Sequence, residues 1–169
     1  MPDFFSLFSL PKNFSIDEKE LERNYFALQR QYHPDKFVAG TASERIAALN
    51  KSTEITNAYQ VLSNPLKRAE YLLAEHNIRV NGENDNVKPS HELLMEIMEI
   101  REKLSEAEAR DLKNLEAFAE TEIKESIGRL AKDFAGNELE KAAEDAMRLK
   151  YLTKFLDEIK LKKRSVRPL

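Results

Sequence analysis

The placement of the prolines limits the possible folds of this chain more than any other feature. A proline inside a helix removes a backbone hydrogen bond and clashes with the preceding turn, so long helices must lie between prolines. The six prolines stand between segments of helical periodicity, at positions 2, 11, 34, 65, 89 and 168. Only four glycines occur, and no Asn-Gly or Asp-Gly pair joins two alternating apolar runs. We therefore predict an all-α protein.

The composition excludes several classes of function. The chain has no cysteine, which rules out disulfides, a thiolate nucleophile and cysteine-ligated metal centres. Its histidines, His33, His76 and His91, form no closely spaced ligand pair, so we expect neither a metal nor another cofactor. The net charge of −3 gives no reason to expect a nucleic acid as partner.

The apolar residues form no membrane-spanning run. No stretch approaches the roughly 18 uninterrupted apolar residues of a transmembrane helix, so we expect no membrane partner. The apolar N-terminus, MPDFFSLFSLP, lacks the basic region and the small-residue cleavage site of a signal peptide. We therefore expect a cytoplasmic protein.

The first part of the chain predicts an antiparallel helical hairpin with short flanking helices. A capping-box pattern at Ser15 predicts a helix from about residue 16, and Pro34 should end this helix near Tyr32. A second long helix, over residues 42–62, should pack antiparallel to the first because the connection between them is short.

A polar, turn-rich stretch divides the chain into two modules. We predict an N-terminal module over residues 1–76, a connection over 77–88 and a C-terminal module over 89–169. The C-terminal module contains three amphipathic segments, which predict a three-helix bundle.

The helices of this bundle have distinct end signals. A second capping-box pattern, Ser105 with Glu108, should open the middle helix, and Gly136 should end it. The last helix should finish in a basic tail that comprises Lys160, Lys162, Lys163, Arg164 and Arg167. Cations late in a helix interact favourably with its dipole, so we interpret this tail as a solvated helix end.

Two ionisable side chains, His33 and Asp35, flank Pro34 at the tip of the predicted hairpin. Exposed polar groups on a turn that a rigid scaffold carries commonly have a function. A line of basic residues falls opposite the buried side of the preceding helix, namely Lys19, Arg23 and Arg30. Spacing alone favours an ordinary solvated face for this line over a surface for an acidic partner.

Some apolar residues of the C-terminal module are left over after its core is assigned. In the first bundle helix, Leu94, Met98 and Met95 lie about 100°, 140° and 200° from the core stripe that starts at Leu93. An apolar strip with flexible methionines and a charged rim is typical of a protein-binding face. In the last helix the residues off the core side are Met147, Tyr151 and Phe155. On pattern alone, these side chains could equally pack against the first module or widen the core.

The residues around the hairpin tip carry a family resemblance. Tyr25, Leu28 and Tyr32 precede His-Pro-Asp-Lys, and ITNAYQVLSNPLKRAEY follows; together they resemble the J domain of DnaJ-like co-chaperones. Over the whole chain, MPDFFSLFSLP, LQRQYHPDKF, RAEYLL and LLMEIMEIREKL are similar to the HscB family, the dedicated J-proteins of bacterial iron-sulfur cluster assembly. The Gly/Phe-rich segment and the cysteine-rich zinc module of a general DnaJ are missing, which fits the narrower family.

The resemblance implies a co-chaperone that is not itself an enzyme. Its J domain would stimulate ATP hydrolysis by an HscA-type heat-shock ATPase, with Asp35 offering a carboxylate to a chaperone arginine, His33 hydrogen bonding and Pro34 fixing the turn. Basic residues would steer the encounter with an acidic chaperone surface. The implied chaperone-binding set is His33, Pro34, Asp35, Lys36, Lys19, Arg23 and Arg30.

The resemblance also implies that the C-terminal bundle holds the scaffold protein IscU and delivers it to the ATPase. The implied scaffold-binding set is Leu94, Met95, Met98, Glu99, Arg101, Glu102, Glu106 and Tyr151. Several of these residues coincide with the leftover apolar residues that were found from helical angles. A J-domain protein whose bundle holds a different client is the main alternative.

Other classes of function fit the sequence less well. An enzyme that used His33 and Asp35 as acid and base or as metal ligands would need a phosphate-cradling loop, a nucleophile or a second ligand cluster, and none is evident. A purely structural helical bundle leaves the exposed His33 and Asp35 without an explanation.

Overall fold

The computed structural model describes residues 3–166. Within this range the chain forms seven α-helices and two short 3-10 turns and contains no strand, so the all-α prediction is confirmed. The helices are α1 (Phe4–Leu7), α2 (Glu18–Tyr32), α3 (Ala42–Ser63), α4 (Pro65–Ala74), α5 (His91–Glu106), α6 (Leu112–Ala135) and α7 (Leu139–Ser165). The 3-10 turns cover Pro34–Phe37 and Ala109–Asp111. No helix in the described range is long and apolar enough to cross a membrane.

The chain divides into two compact units, Met1–Arg68 and Ala69–Leu169, and the division falls inside α4. The first unit therefore contains the hairpin, and the second contains the bundle. The module bounds expected from the sequence, 1–76 and 89–169 with a connection over 77–88, stay predictions.

In the first unit, α2 and α3 form the expected antiparallel hairpin. The rings of Tyr25 and Tyr59 stack with their centroids 4.0 Å apart. One turn further along α2, the amide of Gln29 donates to Thr56 Oγ1 at 2.8 Å and accepts from Ser52 Oγ at 2.9 Å. Since both groups of the amide are satisfied across the pair, these contacts fix the register of the two helices.

The N-terminal apolar segment completes the core of the first unit. Phe5, Phe8 and Phe14 are almost fully buried. Asn24 of α2 donates its side-chain amide to the carbonyl oxygen of Phe8 at 2.7 Å, and the guanidinium of Arg68 lies 4.7 Å from the centre of the Phe14 ring. The N-terminal segment therefore stabilises the hairpin at the end that lies away from its tip.

The start of α2 differs from the sequence prediction. Asp17 caps this helix instead of Ser15: its Oδ1 accepts from the amides of Lys19 and Glu20, each at 3.1 Å. A carboxylate at this position also interacts favourably with the helix dipole, and the serine hydroxyl does not. The predicted end of the helix near Tyr32 is confirmed.

In the second unit, α5, α6 and α7 form the predicted three-helix bundle. Ala119 of α6 and Phe155 and Ile159 of α7 form a buried cluster. Partly buried side chains from all three helices pack against it, namely Ile100, Leu104, Leu115 and Leu156. The bundle core is therefore shared among the three helices.

The boundary between α5 and α6 also differs from the prediction. Ser105 remains in the last turn of α5, where its hydroxyl donates to the carbonyl oxygen of Glu102 at 2.9 Å. This bond back to the preceding turn is a common alternative to capping for a serine. The capping box is formed by Glu108 and Asp111 instead, with the Glu108 amide 2.9 Å from Asp111 Oδ2. The predicted end of α6 at Gly136 is confirmed.

The interpretation of Met147 and Phe155 as residues off the core side is wrong. They are only 5% and 4% exposed. Helix α7 contacts both α5 and α6, so it buries a broader face than a single stripe. Tyr151, between them on the same side, is half-buried.

Candidate partner-binding sites

The HPD turn, His33-Pro34-Asp35, joins α2 to the first 3-10 turn. His33 ends α2 with an extended backbone (φ −60°, ψ 133°), the conformation that a following proline favours. Pro34 takes the first position of the 3-10 turn, where an amide proton would have no helical partner. The amide of Lys36 donates to the carbonyl oxygen of His33 at 3.0 Å. The local sequence therefore specifies the turn.

The backbone of the turn orients the His33 ring. Its Nδ1 accepts the amide proton of Asp35 at 3.2 Å. A ring nitrogen that accepts carries no proton, so this contact assigns the neutral ring with its proton on Nε2. Asp35 Oδ2 lies 3.5 Å from the same Nδ1, but an ion pair there would require a proton on Nδ1. The hydrogen bond from the Asp35 amide to Nδ1 and an ion pair between Nδ1 and the Asp35 carboxylate therefore exclude each other.

The carboxylate of Asp35 is available to a partner. Its side chain is 87% exposed, and no lysine or arginine of residues 3–166 pairs with it. An exposed carboxylate on a rigid turn can accept two parallel hydrogen bonds from one guanidinium.

The basic line on α2 is exposed as well. Lys19, Arg23 and Arg30 face solvent, and in the described part of the chain their side chains form no ion pair. Lys36, just beyond the HPD turn, is also exposed. All members of the chaperone-binding set therefore lie in the first unit, and their binding role stays a prediction.

Arg45, a residue that the sequence reasoning missed, holds the loop after the HPD turn. Its Nη1 donates to the carbonyl oxygen of Gly40 at 2.7 Å. The start of α3 beside it is closed by a capping box between Thr41 and Glu44. The Thr-x-x-Glu pattern was visible in the sequence, whereas the reach of Arg45 back to Gly40 depends on the folded loop.

The exposed side of α5, which we call the α5 face, carries the apolar members of the scaffold-binding set. Leu94, Met95 and Met98 are 45%, 47% and 64% exposed, whereas Leu93 is fully buried. Their rim is formed by the exposed residues Glu99, Arg101, Glu102 and Glu106. Three of the four rim residues are acidic, so the α5 face suits an apolar partner surface with a basic rim.

Tyr151 joins the set from a different helix. It lines a cleft between α5 and α7 together with Ile100 and Arg101 of α5. Arg101 Nη1 lies 4.0 Å from Glu158 Oε1 on the far side of this cleft. The structure therefore brings Tyr151 and Arg101 together at the flank of the α5 face.

The basic tail is only partly the solvated helix end that the sequence predicted. Lys160 and Arg164 are exposed, and Arg167 lies outside the described residues. Lys162 Nζ instead donates to the carbonyl oxygens of Leu104 and Ala107 at the end of α5, at 3.1 Å and 2.9 Å. Lys163 pairs with Glu116 of α6. Periodicity could not reveal these contacts because they join residues far apart in the sequence.

Neither unit offers a metal-binding cluster in the range that the structure describes. No group of three or more histidine or acidic side chains is arranged to hold an ion among residues 3–166.

Two family models match the chain, one in each unit. The model described as "DnaJ domain" matches residues 3–71. The model described as "HSCB C-terminal oligomerisation domain" matches residues 89–160.

The solved structures that resemble this chain span nearly all of it. Human co-chaperone protein HscB is 34% identical, with 98% of this chain and 84% of that chain covered and a TM-score of 0.89. The chaperone HscB from Vibrio cholerae is 28% identical, with 98% and 100% covered and a TM-score of 0.84. The Jac1 co-chaperone from Saccharomyces cerevisiae, at 22% identity, 94% and 97% coverage and a TM-score of 0.73, shares the fold.

A DnaJ-type hairpin with an exposed HPD turn, followed by a separate helical bundle, defines a J-domain co-chaperone. The 34% identity to human HscB, over 98% of this chain, then identifies the family within this class. The chain belongs to the HscB family, the J-domain co-chaperones of iron-sulfur cluster assembly.

Proposed function

We propose that this protein stimulates ATP hydrolysis by an HscA-type heat-shock chaperone and delivers the IscU scaffold protein to it, which promotes cluster assembly and transfer. The protein itself is not an enzyme in this proposal. The observation that carries it is the presence of two unlike exposed surfaces on two units: a polar turn in one and an apolar helix face in the other.

On the chaperone side, the HPD turn supplies the specific contact. The exposed carboxylate of Asp35 accepts a guanidinium of the ATPase, and the Nε2–H of His33 is free to donate because Nδ1 is occupied by the Asp35 amide. The basic line of Lys19, Arg23 and Arg30 raises the association rate with an acidic surface.

On the scaffold side, the α5 face supplies the apolar contact. Leu94, Met95 and Met98 are exposed apolar side chains, so their burial against a partner is favourable. Methionine adapts its shape to the surface that it meets. The acidic rim and Tyr151 then select the orientation of a scaffold with a complementary basic rim.

Single-turnover ATP hydrolysis by an HscA-type ATPase tests both surfaces together. We expect the rate to rise with this protein and to rise further when IscU is added. His33→Gln and Asp35→Asn should remove the stimulation, and His76→Gln, an exposed histidine outside the HPD turn, serves as the matched control. Stimulation by Asp35→Asn at the wild-type level would contradict the role of the turn.

Titration of IscU in the absence of the ATPase tests the client separately. Stimulation of the ATPase without any IscU binding would contradict IscU as the client of the bundle and favour the alternative of a different client. The expectation of a cytoplasmic location stays a prediction.

A further inference from the structure

Helix α5 is attached to α7 by polar contacts at three levels. At its start, the Ser90 amide donates to Glu144 Oε1 at 3.3 Å. In its middle, Arg148 binds Glu96, and at its end Lys162 binds the last carbonyl oxygens. The residue numbers rise together along both helices, so α5 and α7 run parallel, and the contacts follow the whole length of α5.

The middle contact is a two-point fork. Arg148 Nε donates to Glu96 Oε2 at 3.0 Å, and Arg148 Nη2 donates to Glu96 Oε1 at 3.3 Å. The third nitrogen, Nη1, donates to Asp145 Oδ1. The side chain of Arg148 is 19% exposed and that of Asp145 is 8% exposed. A planar guanidinium held at both ends in this way has little freedom, so it fixes the position of Glu96.

The position of Glu96 on α5 gives the fork a geometrical consequence. Measured from Leu93 at 100° per residue, Glu96 lies about 60° to one side of the core stripe and Arg101 about 80° to the other. Arg148 binds Glu96 on the first side of the stripe, and Glu158 lies opposite Arg101 on the second side. Contacts on both flanks oppose rotation of α5 about its own axis in either direction.

Rotation of α5 decides which side chains it exposes. A rotation of a few tens of degrees in one direction would carry Leu94 toward the core and move Glu99 toward the apolar part of the face. The apolar contacts of Ile100 and Leu104 are less directional than the fork, because hydrophobic burial depends on area and not on orientation. The fork is therefore the contact that sets the angle.

We infer that Arg148 is a positioning residue for the α5 face: by holding Glu96 it sets the rotation of α5 at which Leu94, Met95 and Met98 face the scaffold. This inference rests on the proposed scaffold-binding function. Arg148 does not itself contact the scaffold in this role, and it acts through Glu96.

The test compares Arg148→Lys with Arg129→Lys. Lysine keeps the charge but cannot form the fork. Arg129 also binds Asp145 Oδ1, at 3.0 Å, and donates to Ser126 Oγ, but it forms no hydrogen bond or ion pair with Glu96 in the described structure. It is therefore a control that loses an Asp145 contact without losing the fork. Both variants and wild type are titrated with an IscU-type scaffold at several salt concentrations, and amide hydrogen exchange is followed over residues 91–106.

We expect Arg148→Lys to weaken scaffold binding about tenfold, with an unchanged salt slope, and to speed exchange in α5. Arg129→Lys should bind as wild type does. Glu96→Gln should weaken binding to a similar extent, and the double variant should be no worse than either single variant, because both remove the same fork.

The inference would be overturned if Arg148→Lys bound the scaffold with wild-type affinity and its α5 amides exchanged at the wild-type rate. Equal losses for Arg148→Lys and Arg129→Lys would also overturn it, since they would indicate general destabilisation. A changed salt slope would indicate direct contact between Arg148 and the scaffold and would overturn its role as a positioning residue. If the wild-type protein does not bind the scaffold, the proposed function fails, and the exchange comparison alone decides whether Arg148 positions α5.

Discussion

Asp133 of α6 and Asp145 of α7 place two carboxyl groups side by side. The pKa of Asp133 is raised from its ordinary value of 3.8 to about 6: burial is the largest cause, the hydrogen bond to Asp145 and the charges of Asp145 and Glu138 add to it, and Lys141 opposes it slightly. Asp145 is held by Arg129 and Arg148. A proton on Asp133 therefore lets the two groups share a hydrogen bond, and its loss leaves two like charges in contact.

Asp133→Asn should stabilise the protein at neutral pH. The folded pKa lies above the unfolded one, so the stability that protonated Asp133 contributes is complete below about pH 4 and is lost as pH rises through about 6. Asparagine keeps a donor toward Asp145 at every pH. Thermal melts should show the variant above wild type at pH 7.5 and equal to it near pH 4.

The control for this comparison is Asp157→Asn, which removes an exposed carboxylate from α7, the helix that carries Asp145. It should not change the stability difference between the two pH values. Equal stability of Asp133→Asn and wild type at pH 7.5 would show that the contact with Asp145 costs nothing when both groups are ionised.

Leu93→Ala and Leu94→Ala, at adjacent positions of α5, should affect different properties: the first the stability of the protein, the second its binding to the scaffold. Leu93 is fully buried, so its truncation should cost about 2–5 kcal/mol of unfolding free energy. Leu94 is 45% exposed, so its truncation, together with Met98→Ala, should leave stability nearly unchanged and weaken scaffold binding. Urea unfolding and isothermal titration separate the two outcomes. Undiminished binding by the Leu94/Met98 double variant would remove these residues from the scaffold-binding set.

Arg23→Ala with Arg30→Ala should slow association with the ATPase without preventing it. The two side chains are exposed and lie on the basic line of α2, so they act mainly through long-range attraction. We expect the association rate to fall several-fold at low salt, and the difference from wild type to shrink as salt rises. Stopped-flow binding measures both. A faster dissociation rate with unchanged association would instead indicate a close contact.

Asp17→Ala should destabilise the first unit more than Ser15→Ala. Asp17 accepts from two amides at the start of α2, and loss of such a cap costs about 0.5–2 kcal/mol. Ser15 caps no helix in the described structure, so its substitution should be nearly neutral. Denaturant unfolding of the two variants compares the caps directly, and a larger loss for Ser15→Ala would contradict the assignment.

The sequence predicted the features that depend on neighbouring residues. Pro34 ends α2 through its own ring, and Gly136 ends α6 because the chain can leave the helix there. Helical angles placed Leu94 and Met98 off the core stripe but left their exposure open, and the structure shows that both are exposed.

The sequence failed where two local signals compete or where a distant residue decides. Asp17 and Ser15 are both good caps, and the pattern does not say which one the backbone will use. The burial of Met147 depends on α7 contacting two helices at once, which no periodicity in α7 reveals. The contacts of Arg148 and Lys162 join segments more than fifty residues apart, with separations of 52 and 58 residues.

The reliance of α5 on α7 has a consequence for synthesis on the ribosome. The hairpin of the first unit is complete once α3 has emerged, and N-terminal domains commonly fold while translation continues. Helix α5, by contrast, must wait for Lys162, near the end of α7, before its polar contacts with α7 are complete at its start, middle and end. A nascent chain therefore acquires its J domain first and its α5 face last, so an interrupted chain would present the HPD turn without a finished α5 face.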